Sequence, residues 1–122
     1  MIYILRVIQS FKHAFRGIFF MHRFSTNIPL YYLYTAVVIL LSIYFQINYF
    51  EIVVLLVMAL FVICAEMINT VIEEVINLIT QEHRTPARVA KDVAAGMVLM
   101  ATISYIIVTF FVFTPHIVEF FK

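Results

Sequence analysis

The sequence predicts an all-α membrane protein, an amino-terminal amphipathic helix in the bilayer interface followed by three transmembrane helices. Three observations carry this. The chain has 122 residues, of which 65% are hydrophobic and only 12% charged, and its mean hydropathy of +1.06 lies far above that of soluble domains. Apolar runs of bilayer-crossing length occur three times, separated by short polar breaks. The amino-terminal segment places cations and phenylalanines on helical spacing. At this length residues 1–122 form one integral-membrane domain, and a bundle of so few helices has little interior. A site of any size is therefore expected between copies of the chain, as a homo-oligomer.

Residues 2–23 alternate apolar groups (Ile2, Leu5, Ile8, Phe11, Phe15, Ile18, Phe19) with polar ones (Arg6, Gln9, Lys12, His13, Arg16, Arg23). Arg6, Gln9, His13 and Arg16 step by 3, 4 and 3, which is one helical face, so this segment reads as an interfacial helix. Its cations either anchor the chain to anionic lipid or attract phosphates. F-S-T-N-I-P, residues 24–29, supplies capping and turn residues, with Pro29 suited to the first turn of the next helix. Residues 30–47 are long enough to span, and Tyr31, Tyr32 and Tyr34 are expected in an interfacial aromatic belt. A short connection leads to the second span, 52–79, which must run antiparallel to the first. The loop 80–92 holds Arg84, Arg88 and Lys91, Pro86 is placed to start a helix, the third span covers 93–113, and Pro115 is expected to end it. Ala90, Ala94, Ala95 and Gly96 are expected to permit close helix packing.

Lysine and arginine number four in the amino-terminal segment, none in the first connection, three in the loop 80–92 and one in the tail. By the positive-inside rule the amino terminus and the loop 80–92 are expected in the cytoplasm. The formal charge of +1 and the absence of basic blocks interleaved with aromatics exclude nucleic acid as an expected partner. The single cysteine, Cys64, reads as a small packing residue, and no signal peptide is expected at the start. No glycine-rich phosphate loop, zinc pattern or Ser-His-Asp arrangement is present, since the only glycines are Gly17 and Gly96 and the four histidines are scattered.

The chemistry concentrates in residues 66–77, E-M-I-N-T-V-I-E-E-V-I-N, directly after the uncharged run 52–65. At 100° per residue Glu66, Asn69, Glu73 and Asn77 form one polar stripe. Glu66 and Glu73 are then roughly 10 Å apart along the axis and about 20° apart around it. That spacing lets one carboxylate hold a cation while the other handles a proton; the plainer reading is polar glue between helices. Glu73 with Asn69 meets the habit of Mg²⁺, which takes one or two carboxylates plus phosphate oxygens and water, and Lys91 beside Asp92 can offset or organise nucleotide phosphate. Glu66, deepest in the apolar run, is expected to be desolvated, which suits a general base for a lipid hydroxyl.

These residues resemble the small prokaryotic diacylglycerol kinases, a family that includes undecaprenol kinases of Gram-positive bacteria. The family signature is kept in Glu66, Asn69, Thr70 and Glu73; K-D-V-A-A-G, residues 91–96, is similar to its second signature in the undecaprenol kinase form; and S-F-K-H-A-F-R-G, residues 10–17, is similar to its amino-terminal helix. The resemblance implies a homotrimer with shared sites that moves the ATP γ-phosphoryl group to a lipid alcohol, undecaprenol ahead of diacylglycerol, at the cytoplasmic interface. It implies Glu66 as catalytic base, Glu73 and Asn69 at the Mg²⁺-nucleotide site, and Lys91 and Asp92 at the phosphates of the nucleotide, while Arg6 and Arg16 of the basic helical face are expected to attract the nucleotide from their charge alone. Three departures stand out: Ser25 occupies the position of a family metal-binding Glu, Asn77 that of a family Asp, and Val71 that of a small residue. They are compatible with a substitute ligand such as Glu74 or Glu82, or with an impaired homologue that binds nucleotide or lipid without transfer. A small ion pathway lined by Glu66 and Glu73 is the third reading.

Overall fold

Four α-helices, α1 (Ile2–Phe24), α2 (Ile28–Tyr44), α3 (Tyr49–Ile79) and α4 (Thr85–Phe120), make up the chain in the computed structural model, which describes all 122 residues. The architecture is all-α, as the composition requires. α1 is turned 91° to α2 across the break at residues 25–27. Ser25 causes the corner by leaving the helix with extended backbone (ψ 132°), and Pro29 then sits in the first turn of α2, where its missing N–H costs nothing. A hydrogen bond between the His22 Nε2 and the Tyr32 hydroxyl braces the corner, while His22 Nδ1–H donates to the Ile18 carbonyl at 2.7 Å. Only Met21 of α1 is buried, the condition of a helix whose apolar side lies on lipid rather than on protein.

α3 and α4 are each long and apolar enough to cross a membrane. α2 has 17 residues, about 25 Å, the lower limit for a span. It begins two residues before the expected 30–47 and ends three earlier. Its end is a Schellman turn: Ile47 N–H donates to the Ser42 carbonyl at 3.0 Å and Gln46 N–H to the Ile43 carbonyl at 3.2 Å, with Gln46 held at φ 53°. Asn48 then caps α3, its side chain accepting from Phe50 N–H at 2.8 Å.

The core lies where α3 packs on α4, with α2 laid against α3. Leu55, Ala59 and Val62 of α3 meet Tyr105 and Phe113 of α4 and Val38 of α2. Tyr105 donates to the Thr35 hydroxyl at 3.1 Å and packs edge-on against Tyr34, ring centres 4.9 Å apart. Tyr34 and Tyr31 thus turn inward with Val38, three and seven residues along one face. Of the three tyrosines expected in an aromatic belt, only Tyr32 is exposed.

α4 departs most from expectation. It starts at Thr85 and ends at Phe120, so the loop expected over 80–92 shrinks to five residues, and Lys91 and Asp92 belong to its second turn. Nor does Pro115 end it. A helix in lipid has no water to satisfy freed carbonyls, so it continues with one bond missing while Thr114 folds its hydroxyl back onto the Phe110 carbonyl at 2.6 Å. Among the small residues near its start, Ala94 is buried, but a Cβ at Gly96 would meet nothing within 4 Å, and Ala90 and Ala95 are exposed. Their close packing is therefore not made within one chain.

Candidate functional site

The buried face of α3 runs Leu55, Ala59, Val62, Glu66, Asn69, in steps of four and three, and Glu73 continues it. The apolar packing stripe and the polar stripe are one surface that changes chemistry at Glu66. The helix corner is what it meets there. A cleft of about 510 Å³ is walled on one side by Phe20, Met21 and Phe24 of α1, with Ser25, Thr26 and Asn27 of the corner, and on the other by Glu66, Asn69, Thr70, Glu73 and Glu74 of α3.

Glu66 is 5% exposed and accepts a hydrogen bond from Asn27 Nδ2 at 3.4 Å. The Tyr31 hydroxyl lies beside Glu66 and Thr102. Asn69 donates from Nδ2 to Glu73 Oε1 at 3.4 Å, while its carbonyl Oδ1 is the one buried side-chain polar atom without a partner. Thr70 is occupied locally, donating to the Glu66 carbonyl at 3.0 Å. An orphaned buried carbonyl beside a carboxylate suits a hard cation, which binds oxygen. No three His, Cys, Asp or Glu side chains form a closed metal cage. Glu73, Asn69 and the Ser25 hydroxyl are instead an open oxygen set that leaves room for phosphate and water, as Mg²⁺ sites do.

The 91° corner also sets where α1 leaves the bundle: Asn27 of the corner meets Glu66, so α1 turns away at that level of α3. The thirteen residues from Glu66 to Ile79 rise ~20 Å beyond it.

Not every expected residue converges here. Asn77 leaves the stripe and accepts from Lys91 Nζ at 2.8 Å, coupling α3 to α4 one turn past Glu73. Lys91 belongs to the α4 packing face with Ala94 and Val98, and it lines a smaller cavity of about 170 Å³ with Thr80, Glu82, His83 and Arg88. Asp92 is exposed and does not line the Glu66 cleft. Arg16 opens on a separate groove with Lys12, Phe15 and His22. Arg6 lies eighteen residues, ~27 Å, from the corner along a straight helix and cannot reach this cleft in its own chain. Asn27 and Tyr31, which spacing along the sequence does not connect to Glu66, are brought to it only by the corner.

Against known proteins, the sequence profile described as prokaryotic diacylglycerol kinase matches residues 12–113. The chain is similar to an undecaprenol kinase of Bacillus subtilis (strain 168), 29% identical over 112 residues, covering 92% of this chain and 91% of that protein. It is also similar to a diacylglycerol kinase of Synechocystis sp., 29% identical over 103 residues, which spans 84% of this chain but 59% of that longer protein. All three carboxylates of the cleft fall within the matched segment, as do the whole of α3 and α4 as far as Phe113. With five-sixths of its length matched in this way, the chain belongs to the prokaryotic diacylglycerol kinase family, a family of membrane lipid kinases.

Proposed function

We propose that the protein transfers the γ-phosphoryl group of ATP, with Mg²⁺, to a lipid alcohol at the cytoplasmic surface of the bacterial plasma membrane. The observation that carries this is the single cleft joining a buried carboxylate, Glu66, to an open oxygen set, Asn69 and Glu73, at the 91° corner between α1 and α2, where on this reading α1 lies along the membrane surface. A lipid hydroxyl at the bilayer boundary meets the first, and a water-borne nucleotide meets the second.

In this reading Glu66 takes the proton from the lipid hydroxyl as its oxygen bonds to the γ-phosphorus. The bond from that phosphorus to the bridging oxygen breaks and ADP departs. Asn27 and Tyr31 hold Glu66 toward the acceptor. Glu73, Asn69 and Ser25 would hold Mg²⁺, which would supply charge neutralisation on the phosphates, the main demand of phosphoryl transfer. Lys91 and Asp92, which lie outside this cleft in their own chain, and Arg6 and Arg16 serve the nucleotide of a neighbouring copy or raise its concentration at the surface. Undecaprenol is favoured over diacylglycerol as acceptor by the K-D-V-A-A-G form of residues 91–96 and by the end-to-end similarity to the Bacillus protein.

Glu66→Gln preserves size and the bond from Asn27 only if the amide turns its oxygen inward, and it removes the proton acceptor. Turnover is expected to fall at least 100-fold, about the usual range for a general base, with the helical circular dichroism spectrum and oligomer size unchanged. Near-normal turnover in the variant would remove Glu66 from the base role.

A further inference from the structure

We infer that Glu74 supplies the second carboxylate of a divalent-cation site in the Glu66 cleft, an inference that rests on the kinase reading above. Three carboxylates, Glu66, Glu73 and Glu74, line this cleft, and no Lys, Arg or His does. The ion pairs of the chain lie elsewhere, Glu82 with Arg84 at 2.9 Å and Glu51 with His116 at 3.4 Å. Like charges gathered in one protein-walled cleft repel, and no cationic side chain lines the cleft to offset them. Asn69 is an independent sign of a missing partner. It is only 9% exposed, its amide N–H is committed to Glu73, and its carbonyl Oδ1 has no donor.

The groups present are all oxygens: carboxylates, the Asn69 carbonyl and the hydroxyls of Ser25 and Thr26. That set selects a hard divalent cation over zinc, which prefers nitrogen and sulfur. Ser25 is neutral, and Glu66 faces Asn27 at the deep end of the cleft, so Glu73 alone would leave a divalent ion with one compensating charge. Glu74, the next residue, projects about 100° around the helix from Glu73 and brings a second carboxylate to the α3 wall of the same cleft. It has no hydrogen-bond partner to give up. Glu82 cannot take this place, because Arg84 holds it and it lines cavities at the α3–α4 turn instead.

The test is a titration of the purified full chain in detergent with Mn²⁺, read by electron paramagnetic resonance, with and without a non-hydrolysable ATP analogue. The wild type is expected to bind Mn²⁺, Glu74→Gln to weaken binding about tenfold, and Glu74→Asp and Glu82→Gln to stay near the wild-type affinity. Equal binding by wild type and Glu74→Gln, or equal loss in Glu74→Gln and Glu74→Asp, would overturn the role of Glu74 while leaving the cation site. No Mn²⁺ bound by the wild type, even with the analogue, would overturn the cation site and the inference with it.

Discussion

The contact between Asn27 and Glu66 ties the proposed base to the corner where α1 leaves the bundle. A hydrogen bond to a charged acceptor at 3.4 Å is long and therefore weak, so its loss costs about 0.5–1 kcal/mol. Asn27→Ala is expected to lower kcat about two- to fivefold with the Mg²⁺ requirement unchanged. An unchanged kcat in a steady-state assay would show that Asn27 does not orient the base. Glu66, Asn69 and Glu73 were legible in the sequence because a carboxylate and an amide on the extension of a packing face have few other reasons to be there. Asn27 and Tyr31 were not. They sit 39 and 35 residues from Glu66 in the chain, and only the angle between α1 and α2, which no periodicity encodes, brings them to it.

Among the elements, helix type and order were readable from hydropathy, and the ends were not. Gln46 shows why the first connection was hard to place. Its φ of 53° is a conformation that glycine usually supplies, so the Schellman turn carries no glycine signal. The left-handed backbone costs a non-glycine residue about 1–2 kcal/mol, partly offset by the freedom glycine loses on folding. Gln46→Gly is thus expected to stabilise the α2–α3 turn by about 0.5–1 kcal/mol, measured as a higher thermal midpoint in detergent; a lower midpoint would mean that the Gln46 side chain contributes more than its backbone costs. Pro115 misled for a related reason. Its reading as a stop holds in water, whereas in lipid a helix that unwinds leaves several carbonyls unsatisfied and one that continues leaves a single bond unmade. The early start of α4 has another cause: half of residues 85–92 are polar or charged, and hydropathy marks where a span becomes continuously apolar rather than where its helix begins.

On the scale of the whole molecule, only 15 of 122 residues are buried, so most apolar side chains must find cover outside the chain. Lipid covers part of this surface. The exposed small residues Ala90 and Ala95 and the open space over Gly96 leave a shallow face on the first turns of α4, the kind of surface that a helix of another copy can approach closely. Lys91, Asp92, Arg6 and Arg16 fall outside the cleft of their own chain, which is the pattern of a site completed between copies. Chemical cross-linking of the protein in detergent or lipid discs is expected to end at a trimer. A ladder that stops at the monomer would contradict a site shared between copies and leave Arg6 without a part in nucleotide binding. The number three comes from the family resemblance, and the single chain supplies the physical reason to assemble: too little interior, and cations left without a site.

The central claim, phosphoryl transfer to a membrane lipid alcohol, is tested most directly by incubating the purified protein with γ-labelled ATP, Mg²⁺ and, in turn, undecaprenol and diacylglycerol in mixed micelles. Label is expected in the extracted lipid, more with undecaprenol, and none with Glu66→Gln. Label absent from both lipids, with the protein folded and oligomeric, would contradict the claim.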